Sequence, residues 1–479
     1  MSGALHAPAA AAAAWPRSAP RFNDPAAGLQ LLGVYGYRLQ HSRHVLLQVA
    51  DAAGARAWLR ALLQHQGLAT ASISSPPKRV ALRDSVPLNL GFTFAGLRAL
   101  GLPAPLQEVL RRNAKAFTDG AVQRSAQFLG DAGGSAAPYW LPAYGQQQAH
   151  VLLSLHADDL AALHHRWAAL QRMTGTAALR GWDQPIDGQH LTTTPDQRVA
   201  HFGYRDGVAN PRINGIHTAD LGEGHAVGEF LLGYDTDEGF NPWRLGTEPV
   251  AAAFFRNASF GVLRQMAQDE AAFARWVGDT AAASGQSADW VKAKLCGRWP
   301  DGRLLTADGQ PAPNAGPDGV VGNNFDFKAD PQGLGCPFGA HIRRMNPRSD
   351  ALVQKRPRPL LRRGMPYGPR WQGGSAPSDA QERGLLGLFF CGSLEDQFEH
   401  VLSHWAEQNP IGPPNRGNAK DPLVGQSVDP AAVFEVPQPG GAPALRWRGL
   451  QRFVTTRGTA YLLYPALPAL ASLAAEPRA

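Results

Sequence analysis

The feature that most constrains the fold is a short apolar β run followed directly by a helix, a unit that recurs along the chain. Val45 to Val49 precedes Asp51 and the stripe from Ala52 to Leu59, and Val151 to Leu155 precedes Asp158, Asp159 and the stripe from Leu160 to Leu163. Each combines a strand-like run, an acidic helix start and apolar residues at a 3.6-residue period. The second half repeats the unit, with Phe260 to Leu263 before a helix around Ala267 to Trp276, and Leu386 to Cys391 before a helix from Leu394 to Trp405. Two units per half, joined by further strands such as Leu88 to Phe94 and Phe453 to Tyr464, predict an α+β protein of two related halves with antiparallel sheets. The boundary is expected near 212–226, dividing the chain into 24–215 and 216–479, where Ile213 to Ile216 gives way to a polar, Gly-containing connector.

The 479 residues, 44% hydrophobic and 18% charged, can bury a large core spread over two or three domain-sized units. No stretch approaches the roughly 20 uncharged apolar residues of a membrane span, so no membrane partner is expected. Residues 1–23 are rich in Ala and Pro but lack a charged n-region, a leucine-type h-region and a twin arginine, and read as a disordered tail. Cys296, Cys336 and Cys391 are odd in number and lack C-x-x-C spacing, which argues against a disulfide framework and a thiolate zinc site and makes a cytoplasmic location the expectation. The formal charge of +7 and the basic stretch Lys355 to Arg363 permit acidic partners. No accompanying motif supports nucleic-acid binding, and the stretch reads as a solvated basic loop.

Cys336 to Arg348 carries one histidine, His341, among apolar and small residues and just ahead of a run of arginines. An axial ligand to haem needs that setting: an imidazole on an apolar wall, with cations near for two propionates. Upstream, Phe202 to Gly207 holds Asp206 between Gly203 and Gly207; downstream comes Leu361-Arg362-Arg363-Gly364-Met365-Pro366-Tyr367-Gly368.

In this order the three segments resemble the dye-decolorizing peroxidases, whose Gly-x-x-Asp-Gly turn, proximal histidine segment and distal arginine segment they match. Leu88 to Leu97, Gly228 to Tyr234, Arg256 to Phe260 and Arg452 to Gly458 extend the resemblance, and the long insert before His341 is similar to the larger, V-type branch. The resemblance implies two ferredoxin-like halves packed as in a dimeric α+β barrel. It implies one haem b per chain, held mainly by the second half and covered by the Asp206 loop. The activity implied is reduction of hydrogen peroxide with one-electron oxidation of an aromatic or dye-like donor, by a monomer or homo-oligomer. His341 would ligate iron, Asp206 would act as distal acid-base, Arg362 would stabilise charge and Arg348 would contact a propionate. Glu395 falls on the family's acidic position.

The residue chemistry agrees with those roles. A neutral imidazole binds iron through Nε2, and a carboxylate on Nδ1–H strengthens the donor. Glu395 is the candidate for that carboxylate, and it reads equally as a helix-start acid favoured by the macrodipole. Burial should raise the Asp206 pKa and Arg362 should lower it, while Gly203 and Gly207 allow positive φ and close approach to the porphyrin. Where relatives often carry a propionate-binding histidine this chain has Pro359, with Arg358 as a substitute. Competing readings are a Cys336 thiolate ligand, and a metal pair at His400 and His404 that lacks the H-E-x-x-H order. Trp371, Trp405 and Tyr367 lie close in sequence to the site segments and are assigned no role. The insert 297–340 is expected to lie ordered against the haem edge. The rival function is a haem-binding protein for storage, transport or iron release, which needs His341 but not both Asp206 and Arg362.

Overall fold

The computed structural model describes residues 28–476 apart from 66–67, 69, 72–84, 146–147, 195–196, 218–223, 307–309, 312–321, 324, 351–355, 374–380, 409–418 and 428. The expected tail at 1–23 lies outside the described residues, as do Lys355, part of the connector near 212–226 and part of the insert.

The first half runs β1 (His41–Val49), α1 (Ala52–His65), β2 (Leu88–Phe92), β3 (Val151–Ala157), α2 (Leu160–Gln171) and β4 (Ile186–Gln189). The second runs β5 (Ser259–Gln268), α3 (Glu270–Ser284), β6 (Met365–Tyr367), β7 (Gly384–Cys391), a helical segment, and β8 (Val454–Tyr464). All pairings among these eight strands are antiparallel, and in both halves the spatial order is fourth, first, third, second. This is the ferredoxin-like arrangement on each side. Phe92 of β2 pairs with Leu463 of β8, and Gly188 of β4 with Tyr367 of β6, so the two sheets close into one eight-stranded barrel.

The acidic helix starts have a local cause. Asp159 accepts from Ala161 N at 2.9 Å and Asp269 from Ala272 N at 2.8 Å, each satisfying an amide that the helix leaves free. All seven residues of β3 are buried, which is why Val151 to Leu155 reads as a continuous apolar run rather than an alternating one.

Two elements differ from expectation. β5 continues to Gln268 instead of yielding to a helix near Ala267, because Met266 and Ala267 pair on both sides, with β7 and β8, across a bulge at Gln265/Met266. After β7, Leu394–Glu399 and Val401–Ala406 form wide turns of π type, in which the His400 amide reaches the Glu395 carbonyl five residues back.

Each barrel seam is a single residue pair; the halves share one apolar core, in which Phe117 meets Phe260 of β5 at 5.4 Å, and buried charges also join them. Arg264 of β5 makes a two-pronged pair with Asp131 at 2.9 and 2.6 Å and also donates to Thr456 and Thr459. Arg124 grips Glu399 at 2.6 Å through both Nε and Nη2, and Tyr461 donates to the same carboxylate at 2.8 Å. Among the described residues no helix is long and apolar enough to cross a membrane.

Candidate active site

His341 opens the five-residue helix α4 (His341–Met345), whose placement is set by the two arginines inside it. Arg343 donates to Asp350 at 2.7 Å and to Asp330 at 3.2 Å, and Arg344 to the carbonyls of Trp405 at 2.9 Å and Ala419 at 2.8 Å. Both are fully buried, so this pair frames the helix and does not serve propionates, a correction to the reading of the arginine run.

The Arg344 bond to Ala419 also brings in the turn that carries Asp421, an acid the sequence reading missed. His341 Nδ1 lies 3.1 Å from each Asp421 oxygen, and Asp421 Oδ1 also accepts from the amides of Leu423 at 2.9 Å and Val424 at 3.0 Å. Burial acts to raise the Asp421 pKa. The His341 ring outweighs it, with help from Arg344 and the Leu423 amide, and holds the carboxyl below its usual range. With Nδ1–H donated to this carboxylate, Nε2 carries the lone pair, and it has no hydrogen-bond partner among the described residues.

Glu395 is therefore not the partner of His341. It accepts from the Ala116 amide at the start of the helix Lys115–Asp119, and burial raises its pKa. The helix-start reading of this residue holds: Glu395 lies in the first turn of its own helical segment, Leu394–Glu399, and also serves the first turn of a neighbouring helix. The only local signal for Asp421 is its capping of amides two and three residues ahead, which marks an Asx turn but names no distant partner.

The Asp206 loop comes from the first half and docks on the second. His201 bonds the Tyr367 carbonyl at 2.8 Å, the Phe202 ring stacks on Phe273 of α3 at 4.3 Å, and Tyr204 donates to the Lys292 carbonyl at 2.9 Å. Gly203 and Gly207 have φ of +84° and +72°. Among the described residues a Cβ would meet only Lys292 Nζ at 3.5 Å at Gly203 and nothing within 4 Å at Gly207, so backbone conformation is what demands glycine here.

Asn210, four residues past the acid, accepts from the Arg362 amide at 2.8 Å and ties the loop to the short strand Leu361–Arg362. Burial raises the Asp206 pKa, opposed by the Gly207 amide and by the charges of Arg362 and Arg198. The Arg362 side chain is exposed, and the charge of Asp206 favours its protonated form. The Asn210 bond thus sets an acid from the first half and a guanidinium from the second within range of one another's charge.

Arg348 contributes a third cation near Arg362 and is held by Asn323, with Nη2 3.0 Å from Asn323 Oδ1. Arg358 stands 3.7 Å from Asp396, where it pairs with the helix after β7, and the Pro359 carbonyl accepts from Gln397 at 2.6 Å. Cys336 is buried and its thiol is pushed up to about 12, so it is a poor source of thiolate. The rings of His400 and His404 stack at 4.5 Å, and among the described residues no group of three His, Cys, Asp or Glu side chains could hold a metal. All three cysteines are free. Trp405 is buried, and the Tyr367 hydroxyl donates to Glu382 at 2.9 Å.

One imidazole with its tautomer set by a buried carboxylate, an acid and an arginine from the two halves, and a further arginine form a donor set whose chemistry fits haem: a nitrogen that could ligate iron, a group that could move a proton, and cations that could meet an anionic edge.

Known proteins match the chain along most of its length. Residues 40–180 match the family model described as "DyP dimeric alpha+beta barrel domain". Peroxidase 2 of Mycetinis scorodonius is 30% identical over 350 residues, covering 68% of this chain, and the chain spans 63% of that protein's length. A dye-decolorizing peroxidase of Auricularia auricula-judae is 27% identical over 420 residues, 82% of this chain and 76% of its own. Among solved structures, a dye-decolorizing peroxidase in complex with 2,6-dimethoxyphenol superposes with a TM-score of 0.79 at 25% identity, covering 94% of this chain and 100% of that one. Since the closed barrel, the matched domain and these relatives agree, the chain belongs to the dye-decolorizing peroxidase family.

Proposed function

We propose that the protein is a haem b peroxidase that reduces hydrogen peroxide to water and oxidises aromatic or dye-like donors in one-electron steps. The observation that carries the reading is that Asn210, on the loop of Asp206, holds the Arg362 amide at 2.8 Å and so sets the acid and the arginine within reach of one another's charge, because a haem carrier needs neither. Haem, when bound, supplies the iron that takes two oxidising equivalents from peroxide and passes them on one electron at a time. His341 would offer Nε2 to that iron, with Asp421 keeping the proton on Nδ1 and the ring oriented. Asp206, its pKa raised by burial, would accept a proton from one peroxide oxygen and return it to the departing one. Arg362 would face the charge that develops on the departing oxygen, and Arg348 would hold an anionic edge of the cofactor.

The test is peroxide-dependent oxidation of 2,6-dimethoxyphenol and of an anthraquinone dye by haem-loaded protein, beside Asp206→Asn and Arg362→Leu. Turnover that both substitutions reduce supports the reading. Fully haem-loaded protein that oxidises neither donor would overturn it.

A further inference from the structure

Arg298 is a buried cation that the proposed chemistry leaves unused. It is 5% exposed, and among the described residues no carboxylate lies within ion-pair distance of it. Its Nη1 donates to the carbonyls of Gly302 at 2.8 Å and Gly322 at 2.9 Å, its Nη2 to Asn323 Oδ1 at 2.7 Å, and its guanidinium lies over the Phe325 ring at 4.7 Å. Burial, followed by the Arg348 and Arg362 charges, lowers its pKa to about 10 although Cys296 and Cys336 oppose the shift. It is therefore charged at neutral pH. A buried arginine without an acid is costly, and one that saturates backbone carbonyls on several loops acts as a fastener.

Two parts of the site hang on this fastener. At one end it closes the turn Trp299 to Arg303, where the Trp299 amide donates to the Arg303 carbonyl at 3.0 Å. That turn presents the Pro300 carbonyl to the amide of Arg205, the residue before Asp206, at 2.8 Å. A Cβ on Gly302, whose φ is +94°, would lie 3.1 Å from Arg205 Cδ, so turn and loop are in direct contact.

At the other end is Arg348, which shares Asn323 Oδ1 with Arg298, also donates to the Asn323 carbonyl, and lies over the same Phe325 ring at 5.2 Å. Arg348 has φ of +44°, a left-handed conformation that is unfavourable for a residue with a Cβ and persists where surroundings hold it.

We propose that Arg298 is a positioning residue that sets the Asp206 loop and Arg348 as one unit. The acid that faces peroxide and the cation that faces an anionic edge of the cofactor then take their places from a single guanidinium. The assignment rests on the peroxidase reading above. Lysine could not replace it, since a point ammonium cannot reach three acceptors in a fixed fork while lying flat on a ring.

The test uses haem-loaded Arg298→Lys and Arg298→Gln, read by the rate of haem transfer to excess apomyoglobin and by the pH dependence of the peroxide reaction. Both variants should lose haem about 10- to 100-fold faster, the scale of losing an outer partner of a cofactor site, and should displace the acidic limb that Asp206 sets. A merely structural arginine would lower Tm and move neither. Should the Arg298 variants fail to fold, Asn323→Ala decides, because it removes the acceptor the two arginines share and should speed haem loss in the same direction. Haem loss at the wild-type rate in Asn323→Ala, or an unchanged loss rate and acidic limb in Arg298→Gln, would overturn the proposal. If wild-type protein binds haem without reacting with peroxide, the peroxidase reading fails, while haem transfer still reports on Arg298.

Discussion

Replacing Asp421 with Asn changes one atom and reverses one hydrogen bond. Oδ1 serves the Leu423 and Val424 amides at 2.9 and 3.0 Å, and an asparagine oxygen would stay there. The amide nitrogen would then occupy the place of Oδ2, facing His341 Nδ1 across 3.1 Å. Two donors cannot share that gap. The ring must shift its proton to Nε2, which leaves no lone pair for iron, or turn away from Asp421. Outer partners of cofactor ligands are worth about 10- to 100-fold in affinity, or about 1.4–2.7 kcal/mol at 1.36 kcal/mol per tenfold. The stability cost to the protein alone should fall below the roughly 3–5 kcal/mol of breaking a fully buried pair, because the His341 side chain is 28% exposed. The assay is haem titration of the apoprotein together with the Fe(III)/Fe(II) midpoint potential, which Asp421→Asn should raise as imidazole donation weakens. Glu395→Gln is the control and should leave the potential in place, since Glu395 serves the Ala116 amide. Wild-type affinity and potential in Asp421→Asn, or a shifted potential in Glu395→Gln, would refute the geometric argument.

Asp206→Asn should slow the peroxide reaction by about 10²- to 10⁴-fold and abolish its acidic limb, whereas Arg362→Leu should cost about 10²- to 10³-fold and move that limb upward, because the cation no longer opposes the burial that raises the Asp206 pKa; stopped-flow pH profiles separate the two. Asp131→Ala strands Arg264 inside the contact between halves and should cost about 3–5 kcal/mol in urea unfolding. Gly203→Ala should cost about 1–2 kcal/mol through its φ of +84° and not through a clash, so Gly203→Asn, which tolerates that region better, should recover part of the loss in Tm. The depressed pKa of Asp421 stabilises the fold above the unfolded value of about 3.9, and that stability is lost as pH falls through the folded value. The difference in urea stability between wild type and Asp421→Asn should therefore shrink below about pH 4.

Much of the architecture is local and was legible in the residues themselves. A β run such as Val151 to Leu155 is apolar throughout because both faces of β3 are buried, and the acids Asp159 and Asp269 stand where a helix leaves amides unpaired. Gly203 and Gly207 likewise announce positive φ within a few residues of Asp206.

Tertiary structure decided what depends on where the chain returns. The partner of His341 is 80 residues away, placed by a bond from Arg344 to a carbonyl near Asp421, and no periodicity encodes such a meeting. Arg343 and Arg344 read as free cations until their burial shows them bound to acids and carbonyls. The joining of two four-stranded sheets through Phe92–Leu463 and Gly188–Tyr367 is invisible for the same reason. The sequence by itself determined the strands, the caps, the glycine turns and the chemical types at the site. Which acid meets which base, and which arginines are locked against acids and carbonyls, was decided by packing, because pairing energies fall off within a few ångströms and only the folded chain sets those distances.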